Sequence, residues 1–457
     1  MKLNFNLPEN TEFIINTLAE NGYEAYIVGG CVRDLIMNIP PHDWDICTNA
    51  LPDEVITVFK DFRTVQSGIK HGTVGIVIEH LVYEVTTFRS ETGYSDNRHP
   101  DGVHFEKDIE KDLSRRDFTV NSIAYSPQKG FVDLYNGYDD IRYKTIKAVG
   151  SPDTRFSEDA LRILRALRFA SVLGFEIESS TAESIHRNKG LLKNIACERI
   201  WSEFTKLISG KNAHIIIDKY CDVTEVFIPE LYAEKNFEQH NPHHCYDVLR
   251  HTLLALSFSE NNIYLKLAVL FHDIAKPCTF TTDENNIGHF YGHAAKGSHM
   301  TLDILKRLKA DSKTQNIVSE LVRHHDRIIE PTEKAVKRAV YRTGSHQMFE
   351  LLLKLKEYDI KAQSPEYISE RLSEIEKIRK IYKSIKNKST LVTSVKDLRI
   401  NGNDIISMGV PQGREVGIIL KKLLDAVLDN SLENNRHTLT EAAYDIINTE
   451  DNFKNEK

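Results

Sequence analysis

At 457 residues the chain is too long for one ordinary domain and predicts three or four units, each burying a core of its own. With 41% hydrophobic and 27% charged residues it has the composition of a soluble globular protein, and no apolar run approaches the roughly eighteen residues of a membrane span. A net charge of -7 excludes a surface coated with phosphate-binding side chains, so any nucleic-acid contact has to be local.

The opening MKLNFNLPENTEF has no apolar signal core and no small-residue cleavage site, which predicts a cytoplasmic protein. Cys31, Cys47, Cys197, Cys221, Cys245 and Cys278 are scattered without a CxxC pair, the pattern of reduced thiols rather than of disulfides or a zinc ribbon. Short β-rich runs such as TVGIVIEH and LVYEVTTF, bounded by glycine turns, predict an α+β head. From about Ser157 onward long amphipathic segments predict helices nearly to the end. Gly, Pro and polar clusters near Gly150, near Gly210 and over Pro331 to Gly344 divide the chain into residues 1–150, 151–210, 211–340 and 341–457.

The first informative segment, YIVGGCVRDLIMNIPPHDWDICTNA, reads as strand, Gly-Gly turn, helix, proline-bounded loop and a second strand carrying Asp43 and Asp45. Residues i and i+2 of a strand project from one face, so the two carboxylates repel each other unless hard divalent cations such as Mg²⁺ sit between them. Two-metal nucleotidyl transfer needs such a pair. Gly29 and Gly30, opening a helix, let backbone N–H groups approach a triphosphate, with Arg33 as an added cation. Alone, a DxD is usually a polar strand end and Gly-Gly a turn. GGxVRD followed by DWD, however, resembles motif A of the class II tRNA nucleotidyltransferase and bacterial poly(A) polymerase family, on the DNA polymerase β nucleotidyltransferase fold. The resemblance implies that Asp43 and Asp45 hold Mg²⁺. Glu84 in YEVTTFR is a third acidic candidate on a neighbouring strand, which could equally orient Arg89 or close a structural salt bridge.

Arg89 to Phe105 is a polar Gly, Asp and Pro-containing loop. It resembles the flexible loop of family members that add A, which CC-only members lack. RRDFTVNSIAY then resembles motif B: Arg116 offers a fork to phosphate, and Asp117 and Asn121 offer partners to a ribose 2′-hydroxyl. FVDLYNGYDDI resembles motif C, a hinge, with Asp133, Gly137 and Asp140 at the matching positions.

In RFSEDALRILRALRFA, Ser157 is predicted to cap a helix whose first turn carries Glu158 and Asp159. Asp159, Arg162 and Arg165 share one of its faces. A carboxylate beside a guanidinium pairs with a base edge that sets an amine donor next to a ring-nitrogen acceptor. Cytosine and adenine have that edge, whereas uracil and guanine reverse it and would leave buried polar groups mismatched. The segment resembles motif D, EDxxRxxR, which implies an amino-acid template for C and A formed by Asp159, Arg162 and Arg165. ACERIWSEF resembles motif E, with Glu198 and Arg199 bracing the neck.

Ten of the nineteen histidines fall between His240 and Asp326, in HHCYDVLRHTLLAL, AVLFHDIAKP, GHFYGHAAKGSH and RHHD. Imidazoles and carboxylates on packed helices suit a divalent transition metal. The series resembles the HD phosphohydrolase superfamily, which implies His251, His272 and Asp273 as ligands. His293, His325 and Asp326 are further candidates, and the choice among His293, His299, His324 and His325 stays open. The resemblance implies hydrolysis of phosphoesters or 2′,3′-cyclic phosphates; the competing expectation is a domain kept for shape and RNA docking.

Lys377 to Lys388 carries six cations on a helical repeat whose other face holds Ile378, Ile381, Tyr382 and Ile385. VKDLRINGNDIISMGVPQGREVGIILKKLLDAVLD resembles the tail of Gram-positive-type CCA-adding enzymes, with Gly402, Gly409 and Gly413 at turns. That implies a tRNA-binding end using Arg399, Arg414, Lys421 and Lys422. Together the resemblances imply a polymerase β-like head, an all-α neck, an HD body and a tail. They imply addition of CMP and AMP from CTP and ATP to tRNA, with no membrane and no protein partner. An A-adding enzyme or poly(A) polymerase shares the same motifs, and an HD hydrolase with an inactive RNA-binding head is the rival from a different class.

Overall fold

A computed structural model of the chain describes residues 5–93, 102–241, 245–387, 392 and 394–454, without the side chains of 449–454. Contacts divide it into two units, Met1–Pro229 and Glu230–Lys457. Among the described residues no helix is long and apolar enough to cross a membrane.

The first unit opens with α1 (Glu9–Glu20), whose Ile14, Ile15 and Leu18 recur at helical spacing and are fully buried. Then come β1 (Ala25–Val28), α2 (Gly30–Ile36), β2 (Ile46–Thr48), α3 (Pro52–Val58), β3 (Arg63–Val65), β4 (Thr73–Ile78) and β5 (Leu81–Thr87). They are followed by β6 (Arg89–Thr92), β7 (Gly102–Phe105), α4 (Ile109–Ser114), β8 (Ile123–Ser126) and β9 (Gly130–Asp133). Seven strands form one sheet in the order β3-β4-β5-β2-β1-β8-β9. β2 and β5 run parallel with Ile46 beside Val85, and the other neighbours pair antiparallel. β1, β2 and β8 are buried along their whole length, which is why their sequences are short apolar runs without alternation.

Two sequence expectations shift here. Asp43 and Asp45 precede β2 rather than lie within it; the Asp45 carbonyl accepts from Val28 N at 3.0 Å, so the ladder reaches them without regular strand. The loop expected over Arg89 to Phe105 is, in its described part, the β6–β7 ribbon with Arg89 opposite Phe105, and residues 94–101 lie outside the described residues.

The unit continues with α5 (Gly137–Arg142), β10 (Thr145–Ile146), α6 (Pro152–Glu158), α7 (Leu161–Leu173), β11 (Glu176–Ile177) and α8 (Ser179–Asn188). α9 (Cys197–Ser209), α10 (Ala213–Lys219), α11 (Cys221–Thr224) and α12 (Pro229–Tyr232) complete the helical part. The helix expected to begin at Ser157 is split. Ser151 caps α6 ahead of Pro152, accepting from Thr154 N, while Ser157 lies inside α6 and donates to Thr154 O at 2.9 Å. Proline at the first helical position favours that earlier start. Asp159 then breaks the helix, and its carboxylate accepts from Leu161 N at 3.1 Å as α7 begins.

Gly137 shows how tightly the hinge segment is built. The Asp133 carboxylate accepts from Gly137 N and Tyr138 N at 2.8 and 2.9 Å, and Thr119 Oγ1 donates to Asp140 at 2.6 Å. A Cβ on Gly137 would lie 2.1 Å from the Thr119 carbonyl oxygen, which is backbone and cannot swing aside. Gly137→Ala is therefore expected to destabilise the first unit by about 1–3 kcal/mol. Urea unfolding measures this, and an unchanged midpoint would show that the approach is slack.

In the second unit α13 (Val248–Phe258), α14 (Ile263–Phe271) and α15 (Lys276–Thr279) precede a ribbon of β12 (Thr281–Thr282) and β13 (Gly288–His289). α16 (His293–Arg307), α17 (Ser312–His324), α18 (Glu333–Thr343), α19 (His346–Lys361) and α20 (Pro365–Asn387) follow. α21 (Gly402–Ser407), α22 (Arg414–Leu428) and α23 (Arg436–Lys454) end it. Val336, Val340, Phe349, Leu353, Ile378 and Tyr382 centre a core among α18, α19 and α20. Ile405, Ile419, Leu423, Leu424 and Leu439 centre a second one among the last three helices. α20 buries Ile378, Tyr382 and Ile385 as its spacing predicts, but its outer face is partly neutralised: Arg379 pairs with Glu357 and Glu376, and Lys386 with Glu350. Lys388 lies outside the described residues.

Candidate functional site

In the first unit the Gly-Gly turn, the acidic pair and the RRD segment converge. Gly29 has φ +79, a backbone conformation that favours glycine, and the site of its absent Cβ is 2.9 Å from Arg116 Nη1 and 3.9 Å from Asp45 Oδ2, so the turn lies beside both groups. Gly30 begins α2. Asp43 and Asp45 are both exposed, and among the described residues Asp43 pairs with His42, at 3.1 Å. The surrounding protein raises the Asp45 pKa; the Arg116 guanidinium opposes this and the like charge of Asp43 adds to it. A cation between the two carboxylates would remove that repulsion, so they fit Mg²⁺. Glu84, exposed on β5, makes no pair with Arg89, whose guanidinium instead meets Glu91 at 3.0 Å.

From this turn a polar chain runs to the helical part. Arg33 Nη1 donates to Asn121 Oδ1 at 2.7 Å, Asn121 Nδ2 donates to Asp117 Oδ1 at 3.1 Å, and Arg165 donates twice to Asp117 Oδ2 at 2.8 and 2.6 Å. Burial pushes the Asp117 carboxyl up, but Arg165 outweighs it and holds the pKa at about 2. Arg33, Arg165 and Arg168 all lie over the Phe169 ring, at 5.3, 5.5 and 4.2 Å from its centroid. Arg116 is fixed from behind by Asp112 at 3.1 Å.

The motif D residues are held separately. Asp159 accepts from Arg199 Nη2 at 3.1 Å, a contact of the motif E arginine that the reading as a neck brace did not foresee. Glu198 is exposed. Arg162 is gripped by Glu158 at 2.6 Å and by the Arg155 and Arg115 carbonyls at 3.2 and 3.0 Å. Asp159 and Arg162, three residues apart, therefore have different partners, and Arg165 pairs with Asp117.

In the second unit the helices bring the histidines of the HD segment together. His251, His272 and Asp273 form one group, and Asp273, His293 and His325 another, with ligand atoms within 4.8 Å of one another in each and all five side chains buried. Asp273 belongs to both. The other ring nitrogen of each histidine meets a backbone carbonyl: Ala362 O for His251 at 3.2 Å, Val269 O for His272 at 2.7 Å, Phe290 O for His293 at 2.8 Å and Val322 O for His325 at 2.7 Å. A carbonyl only accepts, so each Nδ1 carries a proton and each Nε2 is the ring atom turned toward the cluster. The Nε2 atoms of His293 and His325 are 3.2 Å apart, and His272 Nε2 lies 3.2 Å from Asp273 Oδ2. Imidazole nitrogens and carboxylates gathered so closely are a donor set that could hold a metal ion.

Asp359 is a member that the sequence did not single out: its Oδ1 lies 3.0 Å from His251 Nε2 and 3.7 Å from His272 Nε2. The available signal was an acid four residues beyond Leu355 on the apolar stripe of α19, where a core residue is expected. Asp326 is 65% exposed and 4.0 Å from His293 Nδ1, at the rim rather than in the cluster. His299 is exposed and His324 turns to Glu320, so His293 and His325 are the two that enter. Lys276 Nζ pairs with Asp273 at 2.7 Å, and His272 and Lys276 hold that carboxyl well below the usual range against its burial. A cavity of about 560 Å³ opens over the cluster, lined by Asp273, Lys276, His293, His325, Lys356 and Asp359 among others.

The mixed sheet with two aspartates beside a Gly-Gly turn, continued by helices, defines a nucleotidyltransferase head. Residues 25–147 match the poly A polymerase head domain, residues 174–234 the probable RNA and SrmB-binding site of polymerase A, and residues 279–443 a tRNA nucleotidyltransferase domain 2. Three successive segments of the chain thus resemble domains of tRNA nucleotidyltransferases and poly(A) polymerases. It is 52% identical over 198 residues to the CCA-adding enzyme of Limosilactobacillus fermentum, covering 43% of this chain and 49% of that one. To the CCA-adding enzyme of Ligilactobacillus salivarius it is 43% identical over 225 residues, covering 49% and 55%. The chain spans about half the length of the curated relatives it matches. Among solved structures, that of the Bacillus stearothermophilus CCA-adding enzyme in complex with CTP aligns over 97% of this chain and 98% of that one, with a TM-score of 0.68 and 26% identity. The Thermotoga maritima CCA-adding enzyme complexed with tRNA shares the fold at 19% identity and a TM-score of 0.57, over 96% of each chain.

Proposed function

We propose that this protein adds CCA to the 3′ end of tRNA from CTP and ATP without a nucleic-acid template. The observation that carries the reading is the convergence of Asp43, Asp45, the Gly29 turn and Arg116. Asp43 and Asp45 would hold Mg²⁺, which when bound supplies activation of the attacking 3′-hydroxyl and charge neutralisation on the departing pyrophosphate. Gly29, whose N–H is donated to the Ile123 carbonyl at 3.1 Å, shapes the turn, Gly30 offers its backbone N–H to the triphosphate, and Arg33 and Arg116 add charge there. Asp117 and Asn121 take the ribose, for which Asp117 has to share or release Arg165. Asp159 and Arg162, steadied by Arg199 and Glu158, read the C or A edge. The register that sets Ile46 beside Val85 supports Glu84 as the acid neighbouring Asp45.

The test uses three tRNA transcripts, ending before CCA, after C and after CC, with CTP and ATP supplied separately and together. Completion of all three, stopping after one A, is the expected result. Growth on the CC-ended tRNA alone would make it an A-adding enzyme, and an unlimited A ladder a poly(A) polymerase.

A second activity is supported by the histidine cluster. His251, His272, Asp273 and Asp359, with His293 and His325, would hold a divalent transition metal, which when bound supplies Lewis acidity toward a phosphoryl oxygen and acidifies water. The chain's own part is to exclude solvent from the cluster floor and to seat a phosphoester in the 560 Å³ cavity above it, where hydrolysis exchanges one P–O ester bond for a bond to water oxygen.

A further inference from the structure

Two apolar side chains stand at the opening of the cavity over the histidine cluster, each a few residues from a cluster histidine. Tyr291, two positions before His293, is 77% exposed, and Ile328, three positions after His325, is 93% exposed; both line the cavity. They come from different elements, the turn before α16 and the segment after α17, and the Nε2 atoms of their two histidines are 3.2 Å apart. A lone exposed apolar residue is ordinary, but two beside one cavity form a rim that a ligand can cover.

The Tyr291 ring is held in place from both sides in sequence. It lies nearly parallel to the His289 imidazole, with centroids 5.2 Å apart and planes 10° from parallel. His289 ends β13, and its Nε2 meets Asp283 Oδ2 at 3.2 Å, while Asp283 Oδ1 accepts from Asn285 N and Ile287 N at 2.9 Å each. Tyr291 also sits at the tip of a tight turn, closed by His293 N donating to the Phe290 carbonyl at 3.1 Å, with Gly292 at φ +77. The same carbonyl accepts from His293 Nδ1 at 2.8 Å, so the turn that places Tyr291 also orients a cluster imidazole.

A fixed aromatic ring with a free face is the surface on which unpaired nucleobases stack, whatever the base. Only two peptide links separate Tyr291 from His293, so their α-carbons are at most about 8 Å apart, and a base on the ring and a phosphate at the cluster can belong to one nucleotide. Resting on the phosphohydrolase reading of this cavity, we propose that Tyr291, backed by His289, stacks the base of a nucleoside phosphoester, with Ile328 adding apolar contact from the second element.

The test compares the full chain with its Tyr291→Ala and Tyr291→Trp variants on adenosine 2′,3′-cyclic phosphate and on glycerol 1,2-cyclic phosphate, the base-free counterpart. The wild type is expected to prefer the adenosine ester. Tyr291→Ala is expected to lower that preference, the ratio of the two kcat/KM values, about 5- to 50-fold, through KM rather than kcat. Tyr291→Trp should keep it within about threefold, and both variants should retain metal and nucleotide incorporation. No preference in the wild type, or an undiminished one in Tyr291→Ala, would overturn the platform. A binding readout needs no turnover: 3′-AMP is expected to quench the emission of Tyr291→Trp beyond the wild-type response, and glycerol phosphate is not. Equal responses to the two would overturn the platform as well. If the wild type hydrolyses neither ester with any divalent metal, the phosphohydrolase reading falls, and the quenching alone decides whether a base stacks at the rim.

Discussion

Asp43→Ala is expected to lower nucleotide incorporation at least about 10³-fold, equivalent to roughly 4 kcal/mol of lost transition-state stabilisation. Its side chain is 87% exposed and among the described residues pairs with His42, so removing it costs the fold little, within about 0.5 kcal/mol by urea unfolding. Asp45→Ala is expected to lose activity to the same degree, with a small compensating relief because the Asp43 charge no longer faces a neighbour. Single-turnover incorporation on a CC-ended transcript reads both. Incorporation within tenfold of wild type in either variant would refute the acidic pair as the metal-holding site and revive a hydrolase with an inactive RNA-binding head. Glu84→Ala, run beside them, measures the third acid: a comparable loss makes it part of the site, and wild-type incorporation leaves it an exposed acid on β5.

How far the site was legible depended on how local each interaction is. The Gly29 turn and the spacing of Asp43 and Asp45 are set within one short segment, so their convergence was readable from residue order. Arg165 was read as one of three template residues because it shares a helix face with Asp159 and Arg162. The structure also pairs it with Asp117, forty-eight positions away, a contact fixed by sheet and helix packing and invisible to periodicity. The start of the motif D helix was misjudged for a local reason: Ser151 followed by Pro152 offers a better cap than Ser157, and Asp159 then ends the short helix that results. The HD pair itself was legible as a motif. Asp359 was not, because it comes from α19, eighty-six positions beyond Asp273, and reaches the cluster only through the packing of α19 on α13 and α14.

The histidine cluster gives the other large expected effect. With four Nε2 atoms and the Asp273 and Asp359 carboxylates gathered in one cluster, metal binding should add stability as well as chemistry. At a free metal concentration about 1,000-fold above the dissociation constant the gain is about 4 kcal/mol, and stripping with a strong chelator is expected to lower the unfolding midpoint of the second unit accordingly. Asp273→Ala removes the carboxylate shared by both groups and is expected to abolish metal retention and cyclic-phosphate hydrolysis while CCA addition continues on Asp43 and Asp45. Because Lys276 also loses its partner in that variant, Asp273→Asn serves as the control: it keeps the shape and a hydrogen-bond acceptor but not the charge, and should also lose metal. An unfolding midpoint indifferent to chelator, together with no hydrolysis by the intact protein across several metals, would mean that the cluster is a hydrogen-bonded core kept for shape. The CCA addition proposed for the head would be unaffected by that outcome, which makes the two proposed activities separable in one preparation.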